Sequence, residues 1–212
     1  ALAEAHPEIG IVHPVSNTFG ERPPRGMSLD DYAKAIESRR GLYGEVGTCV
    51  GFCLLIKRDV LTRVGPLREE IERLFFEDED YGMRAQAVGY QCVIAHDSYV
   101  FHAEHQSVKR LPDRDALFQR NRRRCEARWG PWRRIALPWF AWPPEGSPEL
   151  RRMAAALLAV VRGRRTYLYL YAPRGIVARK DELFRSVGFA PHADMIWHAM
   201  PSSFLGRAAE AE

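Results

Sequence analysis

The chain has 212 residues, of which 46% are hydrophobic and 27% charged, and its net charge is +4. This composition excludes a disordered segment and fits one ordinary domain, or one and a half small ones. The basic excess is too mild for a histone-like nucleic-acid binder, and it leaves anionic substrates and membrane surfaces open as partners.

The chain opens at ALAEAHPEIG with no signal peptide and no initiator methionine, so it reads as the interior of a longer protein. Glu8 to Pro14 is a short apolar run, expected as a buried strand. Residues 15–26 have loop composition. Ser28 followed by Asp30 and Asp31 is a helix start, and that helix is expected to run to about Arg40. Gly47 to Lys57 reads as a strand that ends buried. Arg58 to Val64 is a short helix closed by Gly65 and Pro66. Then come two phenylalanines and four consecutive acids, Glu77 to Asp80. Helical spacing resumes from Tyr81 to Val88, with Gly89 as its stop. Tyr90 to Ala95 reads as a strand, His96-Asp97 as a turn, Ser98 to His102 as another short strand, and Leu111 to Trp129 as a long basic helix.

Trp132 to Pro148 is rich in Trp and Pro and reads as a linker or surface arm. A helix over 148–162, a strand over 166–172, a helix over 177–187 and a strand over 194–199 then form a β-α-β unit. This alternation argues for an α/β architecture. The boundaries that follow are residues 1–135 for the first domain, 136–150 for the linker and 151–212 for a small α/β extension. The longest apolar run, Met153 to Val161, is about half the roughly 18 residues of a membrane span. Four cysteines, Cys49, Cys53, Cys92 and Cys125, show no CxxC spacing. That argues against zinc and for reduced thiols in a cytoplasmic setting.

Acids at a helix start are ordinarily caps favoured by the helix dipole. Here they follow the greasy pair Phe75-Phe76, at the point where an α/β sheet exposes its ligand crevice. Four carboxylates at close quarters cannot all ionise cheaply, so some are expected with raised pKa values, as a general base for a hydroxyl requires. His102, about twenty residues on, is a candidate ligand for a hard divalent metal beside those acids.

Four segments, in order, resemble the second half of a family 2 glycosyltransferase of the GT-A fold, of the bacterial rhamnosyl- and galactofuranosyl-transferase kind. They are EIGIVHPVSN, GTCVGFCLLIKRDVLTRVGPL, FFEDEDYGMRAQAVGYQCVIAHDSYVFH and QRNRRRCEARWG, covering roughly residues 8 to 130. The E-D-x-D-Y-x-x-R block with its downstream His is the most specific of them. The resemblance implies a partial GT-A sandwich with a mixed sheet, followed by the β-α-β extension. It implies an inverting transfer of a sugar from a nucleotide-diphospho-sugar to an acceptor hydroxyl, in cell-envelope or surface polysaccharide synthesis. Asp78 then takes the place of the general base and Glu77 that of a group orienting the acceptor. Gly51 is the small residue beside the acceptor. Asp80 and Arg84 give structural support, as a cap and an i,i+4 ion pair. His102 completes a site for Mg²⁺ or Mn²⁺ that holds the donor's diphosphate.

The family's upstream Asp-x-Asp pair has no counterpart here. The expectation is that it precedes residue 1, in a donor-binding half, and that the fragment alone is inactive. The acceptor is expected to be a glycan or a lipid-linked sugar. The basic, aromatic stretch from Arg120 to Arg134 raises two further readings: association with the inner membrane surface, which suits a cytoplasmic enzyme of this kind, and nucleic-acid binding, which the weak net charge argues against. A catalytically inactive scaffold of the same fold is the remaining alternative.

Overall fold

The computed structural model describes residues 2–72, 74–103 and 111–200. The chain divides into two compact units, Ala1–Pro131 and Trp132–Glu212. The Ala/Glu-rich tail at 201–212 lies outside the described residues.

The first unit runs α1 (Leu2–Ala5), β1 (Ile9–Val15), α2 (Leu29–Ile36), β2 (Tyr43–Glu45), β3 (Leu55–Ile56), α3 (Arg58–Val64), α4 (Glu77–Ala87), β4 (Gln91–Tyr99) and α5 (Arg114–Trp129). Its four strands form one mixed sheet in the order β2-β4-β1-β3. The central pair, β1 and β4, is parallel, with His13 opposite Ile94. The edge strands β2 and β3 are antiparallel to their neighbours. The run IGIVHPV is buried at six of its seven positions, as a central strand covered on both faces must be. Ile11, Val15, Val60, Tyr81, Ala85 and Cys92 belong to one core, which joins α3 and α4 to the sheet. The first unit is thus α/β with a mixed sheet, as expected.

Several boundaries differ from the sequence reading, each for a physical reason. Gly47 to Lys57 is not one strand: only Leu55 and Ile56 pair, and the stretch before them bends so that Gly51 reaches α4. Ser28 does cap α2, its side chain accepting from the Asp31 N–H at 3.1 Å, and a 3-10 turn at Glu37–Arg39 takes over after Ile36. His96-Asp97 falls within β4, which extends to Tyr99, with a shift of register against β1 between Ala95 and Tyr99 where the turn was expected. His102 therefore lies three residues past a strand end rather than in a strand. Strand β2 was not foreseen; three residues carry too short a pattern to read.

The correction with most bearing on function concerns Asp80. It does not cap a helix beginning at Tyr81. Helix α4 begins at Glu77, its N-cap is Phe76, and Asp80 lies inside the first turn with its side chain 1% exposed. There it accepts from Arg84 Nε at 2.9 Å, from Trp129 Nε1 at 2.9 Å and from Arg128 Nη1 at 3.4 Å. Arg84 in turn donates to the carbonyls of Val64 at 2.8 Å and Pro66 at 2.9 Å. The i,i+4 pair expected between Asp80 and Arg84 is present, and it sits at a junction of α4, α5 and the segment after α3.

The second unit is built of β5 (Arg133–Pro138), α6 (Pro148–Val161), β6 (Thr166–Ala172), α7 (Arg174–Ser186) and β7 (Met195–Ala199). Its three strands are parallel in the order β5-β6-β7. Residues 133–138 are thus a sheet strand, where the Trp- and Pro-rich composition suggested a linker. Ser147 caps α6, accepting from the Leu150 N–H at 3.1 Å, with Pro148 at the first helical position, where its missing N–H costs nothing. Leu150, Leu158, Leu183 and Phe184 pack with Leu168 and Leu170 in one core. The alternate residues of β6 are tyrosines, and their rings stack on neighbours: Tyr167 on Trp132 at 4.5 Å, and Tyr171 on His198 at 5.1 Å.

Removing the Asp80 carboxylate leaves a nearly buried guanidinium without its partner. Asp80→Ala is expected to lower the unfolding free energy by roughly 3–5 kcal/mol, measured by urea denaturation. A loss below about 1 kcal/mol would show that Arg84 re-pairs without it.

Candidate active site

Two consecutive non-glycine residues, Phe75 and Phe76, adopt left-handed backbone angles, with φ of 69° and 72°. Each costs on the order of 1–2 kcal/mol and persists only where the surroundings hold it. Helix α5 supplies the hold. Asn121, fully buried, donates its amide to the carbonyls of Glu72 at 2.8 Å and Leu74 at 2.7 Å. Arg124 donates to the Glu70 carbonyl at 2.7 Å and to the Glu72 carboxylate at 2.9 Å. The rings of Phe75 and Phe76 lie against Phe118 at 5.3 and 5.1 Å. The left-handed pair reverses the chain directly before α4 and so sets where the first acids of that helix emerge.

Asp78 is fixed at both oxygens. Oδ2 accepts from the Gly51 N–H at 2.7 Å, and Oδ1 accepts from the Glu79 N–H at 2.8 Å. Gly51 suits this approach, since a Cβ there would stand 3.2 Å from both Asp78 Cβ and Asp78 Oδ2 and would press on that side chain. Glu77 has a different environment. Its Oε2 is buried with no hydrogen-bond partner. Burial raises its pKa above the usual glutamate value, and the Asp78 charge adds to the rise.

His102 is held from the loop after β1. Its N–H donates to Asn17 Oδ1 at 2.7 Å, and its carbonyl accepts from Asn17 Nδ2 at 3.1 Å. Its ring Nδ1 lies 3.2 Å from Thr18 Oγ1, and Phe52 stacks on the ring at 4.7 Å. Gly51, Glu77, Asp78 and His102 line one cleft of about 430 Å³, and Phe52, Phe75, Phe76 and Phe118 also line it. Four of the six residues singled out from the sequence therefore meet in one place. Asp80 and Arg84 do not line it; they lie at the junction with α5.

One buried residue that feels the Asp78 charge was passed over by the sequence reading. His13 is fully buried on β1. Its Nδ1 faces the Pro14 carbonyl at 3.1 Å, which can only accept, so Nδ1 carries the proton. Nε2 is left as a buried acceptor with no donor. Burial pushes the His13 pKa down, against the opposing pull of the Pro14 carbonyl and the Asp78 charge. Asn17, Thr18, Phe118 and Asn121 were also not singled out. Asn17 stands in the quoted run PVSN and Asn121 in QRNRRR, but a pattern in one sequence does not say which carbonyls an amide will meet.

Helix α5 is basic, and much of its charge is paired. Arg120 and Arg124 meet Glu72, Arg122 meets Glu126, and Arg128 meets Glu70 and Asp80. All four cysteines are free thiols. No helix among the described residues is long and apolar enough to cross a membrane.

Among the described residues no group of three His, Cys, Asp or Glu is arranged to hold a metal ion. His102 fits a divalent ion only as a single ligand: Nδ1 is turned to Thr18, which orients the ring and leaves Nε2 as the ligating nitrogen. No family model matches the chain, and no curated protein or solved structure matches it.

The raised pKa of Glu77 has a consequence for stability. The folded state prefers the neutral carboxyl more than the unfolded state does, so the charged form weakens the fold above the raised pKa. Glu77→Gln is therefore expected to be more stable than the parent at pH 7. The gap should close as the pH falls towards the unperturbed value of about 4.3. Denaturant melts at pH 7 and pH 4 check this; a gap that widened at low pH would contradict it.

Proposed function

We propose that the chain carries the acceptor-side half of an inverting glycosyltransferase of the GT-A type, related to family 2, acting on a nucleotide-diphospho-sugar and an acceptor hydroxyl. The observation that supports this most is the convergence of Gly51, Asp78 and His102, from two of the resembling segments, on a single cleft. A solvated cap would have no need of it. Asp78 accepts the proton of the acceptor hydroxyl, and the oxygen attacks the anomeric carbon from the face opposite the diphosphate. The new C–O bond forms as the bond to the diphosphate breaks, and the nucleoside diphosphate departs with the electron pair. The configuration at that carbon inverts.

The Gly51 N–H holds Oδ2 of Asp78 and so fixes the base before the acceptor arrives, which removes a reorganisation cost from the step. Glu77 orients the acceptor. A divalent ion bound with the donor would neutralise the diphosphate as a leaving group, with His102 as its one ligand among the described residues. The donor's nucleotide is held by residues beyond those of the resembling segments. Synthesis of cell-envelope or surface polysaccharide, at the cytoplasmic face of the membrane, is the setting that this reading implies. The pairing of the α5 arginines with Glu70, Glu72, Asp80 and Glu126 counts against a nucleic-acid groove on that helix.

The full-length protein, assayed against a panel of UDP-, GDP- and dTDP-sugars with Mg²⁺ or Mn²⁺ and then with a chelator, is expected to turn over one donor and to lose that activity on chelation. Asp78→Asn is expected to lower transfer by about 10²–10⁴-fold with an unchanged circular dichroism spectrum. Turnover retained in that variant would remove Asp78 from the base role. A folded protein inactive with every donor would favour the scaffold reading.

A further inference from the structure

The lining of the cleft also limits what the acceptor can be, an inference that rests on the glycosyltransferase reading. Among the described residues, Glu77, Asp78 and Glu79 line the cleft, and no lysine or arginine does. A phosphate or carboxylate brought next to Asp78 would meet carboxylates of its own sign, in a half-buried setting where such repulsion is weakly screened, and the charge of a divalent ion at His102 would already be taken up by the donor's diphosphate. Much of the rest of the wall is aromatic, from Phe52, Phe75, Phe76 and Phe118, with Val50 and Leu74 beside them. Phe75 and Phe118 meet at 79° between ring planes, and Phe76 and Phe118 at 52°. Rings meeting edge-on or tilted do not close off one another's faces, whereas Phe52 is stacked at 15° on His102. Phe118 is 37% exposed, so it has surface to give to a ligand. An aromatic wall with few convergent polar groups suits a ring with one apolar C–H face and hydroxyls at its edge.

Glu77 supplies the second constraint. Its Oε2 is buried without a donor, and a buried acceptor left unmet is costly. The terminal torsion of a glutamate is soft, so rotation about it can turn that oxygen towards a ligand in the cleft that Glu77 lines. Asp78 is the adjacent residue, with both oxygens already held by backbone N–H groups. Two neighbouring carboxylates, one fixed and one still wanting a donor, match an acceptor that offers two hydroxyls close together.

We propose that the acceptor is an uncharged sugar whose apolar face lies on Phe118, with one hydroxyl giving its proton to Asp78 and a second donating to Glu77 Oε2. This places the lipid or phosphate of any lipid-linked acceptor outside the cleft, beyond at least one neutral sugar.

The test uses the full-length protein with the donor that it hydrolyses, and alkyl glycosides as acceptors: neutral pyranosides, the matching uronides and phosphate monoesters, and monodeoxy analogues. The neutral glycosides are expected to exceed the anionic ones in kcat/KM by at least about tenfold. Loss of the hydroxyl next to the reacting one is expected to cost a further tenfold or more, since a site built to accept a hydrogen bond rejects an analogue lacking it. Phe118→Ala is expected to raise the acceptor KM by about tenfold with a smaller change in kcat, and Phe118→Tyr to restore it. Equal use of neutral and anionic acceptors, or indifference to the deoxy analogues, by a wild-type protein that turns over its donor would overturn the acceptor assignment and leave the transferase reading standing. A wild-type protein that turns over no sugar nucleotide would overturn both.

Discussion

Everything at the cleft depends on where the first turn of α4 is held, and one buried carboxylate holds it. Asp80 takes hydrogen bonds from Arg84 on its own helix and from Trp129 on α5, while Arg84 reaches back to the Val64 and Pro66 carbonyls after α3. An isolated buried charge would be expensive. Here the carboxylate has three donors, and its main partner has two carbonyls besides, so neither charge is left unmet. Three stretches of the chain are joined through this one ion pair. A slip of α4 by even one position would break all of these bonds at once.

That anchoring divides the acidic run by function. Successive residues of a helix turn by about 100°, so Asp78 and Asp80 face nearly opposite ways. Asp80 faces α5 and stabilises the fold. Asp78 faces the cleft and is held by the Gly51 N–H. Glu77, at the helix start, keeps a buried oxygen with no donor. The left-handed turn at Phe75 and Phe76 is what allows the helix to start abruptly enough for both faces to be used. Asn121 on the same α5 sustains that turn through the Glu72 and Leu74 carbonyls. Helix α5 thus supports the cleft in two ways, by anchoring the helix that carries Asp78 and by bracing the strained turn that precedes it.

How much of this could be read from sequence depended on whether the signal was local. The apolar run of β1, the cap at Ser28, the Gly stops and the strand at 166–172 are local, and the structure has those elements where expected. The i,i+4 spacing of Asp80 and Arg84 was legible for the same reason. The site was legible only as a set of residue types, and what brings them together was not. Gly51 was expected within a strand, yet its value lies in a bend and a backbone N–H that no pattern marks. The left-handed pair was invisible because it falls on phenylalanines rather than on glycine or asparagine, the residues that usually announce such a conformation. His13 is hidden inside an apolar run where a histidine reads as an ordinary core residue. Strand β5 was obscured by tryptophan and proline, because parallel pairing with β6 overrides local composition.

The central claim is that the carboxylate fixed by Gly51 directs a hydroxyl onto an anomeric carbon in a single displacement. The stereochemistry of the product tests it most directly. Proton NMR would follow the anomeric signal from the first turnovers of the full-length protein, before mutarotation or secondary reaction. The expected result is a glycoside of configuration opposite to that of the donor. A product that retained the donor's configuration would require two displacements and a second nucleophile, and would contradict a role for Asp78 as the base of a direct attack.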